Sequence, residues 1–266
     1  MGAGAMTGTD RTDDTGVAAS YAAYATDAEA AGREPRFTDW LRERSQPAWT
    51  DAVEHPFTRE LGAGTLEEDA FAEYLVQDYA FVNDLVGVFG HAVGQAPEMA
   101  AKRPLVEFLD TITDDEDDYF ERSFDALDVP ESRRTDPELA DPTAAFVDLL
   151  GRAGLEGGYA ETLAVLVPAE WIYEEWATAV VEAHADPDAD GPPSAGADLP
   201  FYYAEWVDLH ATEDFTEFVS WLRGQLDAVG PDCSPRRQRR VETLFRRTVA
   251  LEVAFFDAVS ESSGGE

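Results

Sequence analysis

The sequence predicts an all-α fold, built as a single domain of seven to eight helices. Apolar side chains recur every three to four residues over long stretches, which is the spacing of helices packed on one side. No convincing strand is present, and strands do not alternate with helices as they do in α/β proteins. The 266 residues, 44% of them hydrophobic, suffice for one large domain with a sizeable core.

The chain begins with a segment that we predict to be a disordered, acidic extension. Residues 1–34 are rich in Gly, Ala, Thr and Asp and hold few large apolar groups, although residues 18–31 could form a short helix. The helical domain is expected over residues 35–262. The start of the chain lacks a basic region followed by an apolar run, and no stretch reaches the roughly 18 apolar residues of a membrane span. We therefore expect a cytoplasmic protein without membrane association.

The helices follow in order from residue 37. The first covers residues 37–53, and the second begins at a capping box with Thr65 as the N-cap and Glu68 at the third helical position. The others are expected at residues 100–127, from 141 to the glycines of 151–158, and at 161–184, 199–210, 212–229 and 235–259. Residues 161–184 are the most apolar, so we expect the other helices to wrap them. Pro168 should kink this central helix, with a pocket beside the kink.

The charge of the chain is strongly negative, at −36, and Lys102 is the only lysine. The acidic residues are spread along the whole chain, which favours solubility in high salt over a localised acidic binding surface. A halophilic source is the prediction. No basic stripe is available to neutralise phosphates, so the composition argues against nucleic-acid binding.

Carboxylates within apolar helix faces are the candidate functional residues. Asp78, Glu170 and Glu252 each interrupt an apolar stripe, and a buried carboxylate is unfavourable unless it is paired, hydrogen-bonded or functional. Glu116 shares the inward side of its helix with Tyr119, although its acidic surroundings are more typical of a solvated face. Three such carboxylates on three long helices predict a shared pocket.

Metal and thiol chemistry have weaker support. Cys233 is the only cysteine, which rules out an internal disulfide and a cysteine-rich zinc site. His210 and Asp214 have the i, i+4 spacing that can hold a metal if other carboxylates converge. A histidine beside a helix break is more often structural.

Three segments resemble the thiaminase II (TenA) family. They are HPFTRELGAGTLEEDAFAEYLVQDYAF at 55–81, LVPAEWIYEEWA at 166–177 and LEVAFFDAV at 251–259, and they occur in the family's order and spacing. The resemblance implies a haem-oxygenase-like helical bundle with an aminopyrimidine pocket. It also implies a homo-oligomer, either a dimer or a tetramer, that requires neither a metal nor an organic cofactor.

The resemblance also implies roles for individual residues. Asp78 would hold the pyrimidine ring, Glu252 would act as an acid and base, and Tyr173 would line the pocket. The sequence departs from the family at three positions. Ala169 stands where many members carry a nucleophilic cysteine, while Phe81 and His210 replace tyrosines.

A carboxylate is the candidate replacement for the missing thiol. Glu170 follows the lost cysteine directly, and a carboxylate with a raised pKa can activate water or protonate a leaving amine. We therefore expect a hydrolase of thiamine salvage. It would act on an aminomethylpyrimidine or a formylated relative and release ammonia or an amine together with the hydroxymethylpyrimidine. Phe81, Tyr173 and Trp171 would enclose the ring, with His210 beside them. Cleavage of thiamine itself is not expected without the thiol.

Two alternatives remain open at this point. The first is a metal-dependent oxidase on the same fold, with its ligands supplied by Glu116, Glu170, His210, Asp214 and Glu252. The second is a non-catalytic pyrimidine-binding or regulatory protein that has kept the pocket. In addition, an ion pair between Glu170 and an arginine such as Arg246 or Arg247 would make that carboxylate structural.

Overall fold

The computed structural model describes residues 16–185, 194–195 and 199–262, and this part of the chain forms thirteen α-helices. The first seven are α1 Tyr21–Ala30, α2 Phe37–Arg44, α3 Ala48–Val53, α4 Pro56–Gly62, α5 Glu68–Gln95, α6 Met99–Thr113 and α7 Asp115–Ala126. The other six are α8 Glu131–Thr135, α9 Asp141–Glu156, α10 Tyr159–His184, α11 Phe201–Leu209, α12 Glu213–Val229 and α13 Pro235–Ser262. The predicted all-α class is confirmed.

The helix count exceeds the predicted seven to eight because two expected helices are divided and because the short helices α1, α4 and α8 are added. The stretch 37–53 is interrupted at Pro47, which separates α2 from α3. The stretch 100–127 breaks at Asp114, whose backbone angles of φ −120° and ψ −74° separate α6 from α7. This second break has a functional consequence, because it redirects the chain next to the main cavity.

Helix α10 is the centre of the bundle, as the sequence predicts. It packs against α5, α9, α12 and α13, and its side chains are buried almost without interruption from Tyr159 to Tyr173. Its first turn is fixed by Glu161, which accepts hydrogen bonds from the Gly158 backbone N–H at 3.2 Å and from the Arg237 guanidinium at 2.6 Å. Pro168 lies inside the helix, and the cavity opens at the two residues that follow it.

The ordered part of the chain starts earlier than the expected boundary at residue 35. Helix α1 buries Tyr24 and Ala28, and the Trp40 indole N–H donates to the Ala18 carbonyl at 3.0 Å. These contacts attach residues 18–30 to the domain, so the prediction of disorder does not hold there. Residues 1–15 lie outside the described residues.

The predicted start of the second helix is also wrong. Helix α5 begins at Glu68 with Glu67 as its N-cap, and no side chain caps it. The Thr65 hydroxyl donates instead to the Glu60 carbonyl at the end of the preceding turn. Over the described ranges, no helix combines the length and apolarity needed to cross a bilayer.

Candidate active site

The main cavity has a volume of about 660 Å³ and lies between the central helix and helices α5, α6, α7, α11 and α12. That volume is typical of small-molecule sites. Its inner wall carries most of the polar groups, namely Asp78, Glu116, Glu170, Tyr173, Trp206 and His210. On its α6 and α12 side, Phe108 stacks on Phe218 with ring centroids 4.0 Å apart, and the exposed acids Glu107, Asp214 and Glu217 lie at the edge. A flat, mostly apolar ligand with a few polar substituents fits such a surface.

Glu170 is the unpaired carboxylate of the inner wall. Its side chain is only 6% exposed, it borders the cavity beside Ala169, and it has no ion pair or hydrogen bond with a described residue. Arg246, one of its possible partners, lies near Glu242 instead, at 3.7 Å. Burial and then the nearby charge of Asp78 raise the pKa of Glu170 to about 8. A structural ion pair therefore does not explain this residue.

Asp78 lies on the same wall, on helix α5, and is 3% exposed. Burial raises its pKa to about 8, although the hydroxyl groups of Tyr74 and Tyr173, which favour the ionised form, offset part of the rise. Two like carboxylates this close do not both ionise readily, so the pair retains a proton near neutral pH.

A hydrogen-bonded chain of aromatic residues supports these carboxylates. The Trp206 indole N–H donates to the Tyr74 hydroxyl at 3.1 Å, and the Tyr74 hydroxyl lies 2.9 Å from that of Tyr173. The chain joins α11, α5 and α10 at the base of the cavity. It therefore fixes the ring of Tyr173 in the wall.

His210 ends helix α11 and faces the cavity from beside Tyr173, with ring centroids 5.0 Å apart. Its Nδ1 lies 2.8 Å from the Trp206 carbonyl, and because a carbonyl only accepts, Nδ1 carries the proton. Burial lowers the pKa of His210 to about 4. The imidazole is therefore neutral at pH 7, with Nε2 left as an acceptor.

Phe81 also lies on the cavity wall, where its ring packs against Phe146 at 4.6 Å between centroids. The phenyl ring offers a surface for a flat ligand but no hydroxyl. The structure thus brings together Asp78, Phe81, Glu170, Tyr173 and His210 among the predicted site residues.

Glu252 lies behind the cavity wall instead of on it. It is 1% exposed, and its Oε1 atom has no hydrogen-bond partner among the described residues. Burial and the charges of Asp78 and Glu170 raise its pKa well above the usual range. Burial and these charges favour its protonated form, and it is not part of the cavity lining.

Trp171 does not line the cavity, so its predicted contact with the ligand needs correction. Its ring packs edge-on against Trp49 at 4.6 Å, and the Arg223 guanidinium lies 3.5 Å from its ring centroid. One residue along a helix turns the side chain by about 100°. Trp171 consequently faces away from the cavity that Glu170 borders.

Glu116, which shares the inward side of its predicted helix with Tyr119, is a cavity residue. It borders the cavity from helix α7 and remains partly exposed. Burial and the charges of Asp78 and Glu170 raise its pKa well above the usual range. Across the described ranges, no group of three His, Cys, Asp or Glu side chains is arranged to share a metal ion.

The fold and the cavity define a class of haem-oxygenase-like helical bundles. A solved domain with a heme oxygenase-like fold from Shewanella denitrificans superposes with a TM-score of 0.62 and 13% identity, covering 85% of this chain and 93% of that one. Within this class, the chain belongs to the TENA/THI-4/PQQC family, whose model matches residues 42–262. The resemblance seen in the sequence is confirmed.

Named relatives and solved structures agree with this family. The chain is 27% identical over 221 residues to the aminopyrimidine aminohydrolase of Halalkalibacterium halodurans, covering 83% of this chain and 94% of the relative. The enzyme of the same name from Bacillus subtilis is 23% identical, with coverages of 86% and 92%. A TenA homologue from P. horikoshii superposes with a TM-score of 0.71 at 24% identity, covering 86% of this chain and all of that one.

Proposed function

We propose that this protein is an aminopyrimidine hydrolase of thiamine salvage. It would replace the amine of an aminomethylpyrimidine by hydroxyl, which yields a hydroxymethylpyrimidine and ammonia. The family, the relatives named aminopyrimidine aminohydrolase and the partly apolar cavity support this reaction class. Carboxylates, instead of a cysteine, carry the acid and base steps.

The placement of Glu170 is the observation that carries the proposal. A carboxylate that is 6% exposed, without an ion pair and next to Ala169 faces the cavity where a thiol would otherwise lie. Such a group has little structural justification, because burying it without a partner destabilises the fold. Its pKa of about 8 lets it exchange protons near neutral pH.

The remaining wall residues orient the ring. Asp78 would accept hydrogen bonds from the ring's amino group, while Tyr173 and Phe81 bound its faces and His210 Nε2 accepts a further donor. Glu170, in its ionised form, would take a proton from the water that attacks the exocyclic methylene carbon. Glu252, buried outside the cavity lining, has its own pKa raised by burial and by the charges of Asp78 and Glu170, so it would hold a proton beside the wall.

The assembly and location of the enzyme belong to the same proposal. We expect a cytoplasmic homo-oligomer, either a dimer or a tetramer. Light scattering coupled to size exclusion in high salt measures its mass directly, and a monomer would contradict this part of the proposal.

The decisive experiment is an ammonia-release assay with 4-amino-5-aminomethyl-2-methylpyrimidine in high salt. We expect release by the unaltered protein and a loss of about a hundredfold or more in kcat for Glu170→Gln. Calorimetric titration should show that the variant still binds the pyrimidine, since Asp78 and the aromatic walls are unchanged. Glu174→Gln, four residues further along the same helix and outside the cavity lining, is the matched control and should retain activity.

The same assay separates the alternatives. Binding without any release by the unaltered protein would identify a non-catalytic pyrimidine-binding protein. Release that persists in Glu170→Gln would leave the hydrolase in place and remove Glu170 from its mechanism.

A further inference from the structure

The hydrolysis needs a second carboxylate, and the structure offers one on helix α7. Glu116 is the second residue of that helix, directly after the break at Asp114. The break turns the chain so that Glu116 borders the same cavity as Glu170. The two carboxylates come from α7 and α10 and therefore approach the ligand from different elements.

The acids next to Glu116 have other partners. Asp117 accepts a hydrogen bond from the Tyr79 hydroxyl at 2.8 Å, and Asp118 pairs with Arg122 at 2.8 Å, both at exposed positions. Glu116 has no ion pair and no hydrogen bond with a described residue. Together with Glu170, which is also unpaired and 6% exposed, it gives the cavity two carboxylates free to act on a ligand.

The other carboxylates near the site are less suited to a second proton transfer. Glu252 does not reach the cavity wall. Asp78 is engaged by the Tyr74 and Tyr173 hydroxyl groups and has the anchoring role in the proposed function. Glu107 pairs with Arg103, and Asp214 and Glu217 are exposed. Glu116 is the partly buried carboxylate that remains in the lining.

We propose that Glu116 is the general acid that protonates the leaving amine nitrogen, opposite Glu170 as the general base. This inference rests on the proposed function. The methylene carbon gains a bond to the water oxygen and loses its bond to nitrogen. Glu170 takes one proton from the water, Glu116 gives one to the nitrogen, and the hydroxymethyl product leaves with ammonia. A proton then passes from Glu170 back to Glu116 through water in the emptied cavity.

The surroundings of Glu116 suit an acid. Burial and the negative charges of Asp78 and Glu170 raise its pKa well above the usual range, which favours the protonated carboxyl group that an acid needs. The substrate reacts as the neutral amine, and its nitrogen must gain a proton when the carbon–nitrogen bond breaks. The Glu116 carboxyl group would donate that proton to the nitrogen.

A pair of substrates tests this role. The first is the aminomethylpyrimidine, and the second is its trimethylammoniomethyl analogue, whose leaving group departs as neutral trimethylamine without any proton transfer. The cavity of about 660 Å³ has room for the larger group. We expect Glu116→Gln to lower kcat about a hundredfold for the first substrate and to leave the second almost unaffected. Glu170→Gln should slow both, because both need activated water.

The controls distinguish a failure of this inference from a failure of the proposed function. Asp118→Asn removes an exposed acid two residues away and should leave both rates unchanged. Equal slowing of both substrates by Glu116→Gln, or no slowing of either, would overturn the role of Glu116 while the hydrolase stands. No amine release by the unaltered protein from either substrate would overturn both proposals.

Discussion

The Tyr74 hydroxyl lies 2.9 Å from the Tyr173 hydroxyl and also accepts a hydrogen bond from the Trp206 indole N–H. These contacts connect three helices under the cavity, at a place that water does not reach. Burial raises the pKa of Tyr74 well above its usual range, so the hydroxyl stays protonated. The polar base of the site is thus held by neutral hydrogen bonds, which position its wall without adding charge.

Replacing Tyr74 by Phe should destabilise the protein by about 1–3 kcal/mol, because the buried indole N–H of Trp206 would lose its acceptor. Urea unfolding in high salt measures the change. The matched control is Tyr79→Phe, whose hydroxyl bonds to Asp117 at the surface and should contribute far less. Equal losses in the free energy of unfolding would show that the buried hydrogen bonds of Tyr74 stabilise the protein no more than the surface hydrogen bond of Tyr79.

The pH dependence of the reaction should report on the neighbouring carboxylates. If Glu170 must be ionised to activate water, kcat rises as pH increases through about 8, the pKa to which Glu170 is raised. The charge of Asp78 contributes to that rise, so Asp78→Asn should lower the pKa of Glu170 and move the rising limb to lower pH. KM should increase in the same variant, because the ring loses its anchor.

Asp84→Asn is the control for this shift. Asp84 lies on the same helix as Asp78, but it is exposed and outside the cavity lining. The pH at which kcat rises and the KM should therefore be the same in Asp84→Asn as in the unaltered protein. A limb that stays in place in Asp78→Asn despite a higher KM would mean that another group titrates. Because interacting carboxylates titrate as a unit, the pH at which kcat rises reports on Asp78 and Glu170 together.

Periodicity in the sequence was sufficient to predict most of the inner wall. Asp78, Glu170 and Tyr173 are polar residues in apolar helical stripes, and the stripe of a long helix indicates which side faces the core. Trp171 was misplaced for the same reason that Glu170 was found. Helix α10 is buried on every side, so an apolar residue such as Trp171 fits the core in any direction. Periodicity therefore does not show that Trp171 faces away from the cavity.

Periodicity could not predict whether a buried carboxylate borders a cavity or where a helix breaks. Glu252 is as buried as the stripe around it suggests, but periodicity does not say whether a cavity lies in front of a buried carboxylate. Glu116 lies in a run of acids whose composition predicts a solvated face. Its spacing from Tyr119 placed it on the inward side of the helix, but neither feature of the sequence shows that it borders a cavity.

Stability should fall as pH rises, and Glu252 should contribute to the slope. Its pKa is raised in the folded state, so the folded protein keeps a proton that the unfolded chain releases above its own pKa near 4.5. The stabilising contribution is therefore full below that pH and is lost as pH rises towards the folded pKa. Glu252→Gln should remove about 1.4 kcal/mol of this loss per pH unit in the window between the two.

Urea unfolding at several pH values, in constant high salt, measures that slope. The salt screens the general repulsion of a chain with net charge −36. Glu156→Gln, at an exposed position on α9, should leave the slope unchanged. A slope that is the same in Glu252→Gln and in the unaltered protein would show that Glu252 is ionised in the folded state.

Restoring a cysteine at position 169 should not restore a reactive thiolate. Ala169 borders the cavity next to Glu170 and is 5% exposed. A thiol there is buried beside carboxylates, and both burial and negative charge raise a thiol pKa above the free value of about 8.5. In a Cys233→Ser background, Ala169→Cys should therefore react slowly with iodoacetamide at pH 7 and should not gain the ability to cleave thiamine. At pH 9, where Glu170 is largely ionised, adding Glu170→Gln should accelerate the labelling because it removes that negative charge, whereas adding Glu174→Gln should not. Fast labelling of Ala169→Cys at pH 7 would mean that the surroundings of position 169 do not raise the thiol pKa. The missing cysteine would then be the main difference between this site and that of a thiol enzyme.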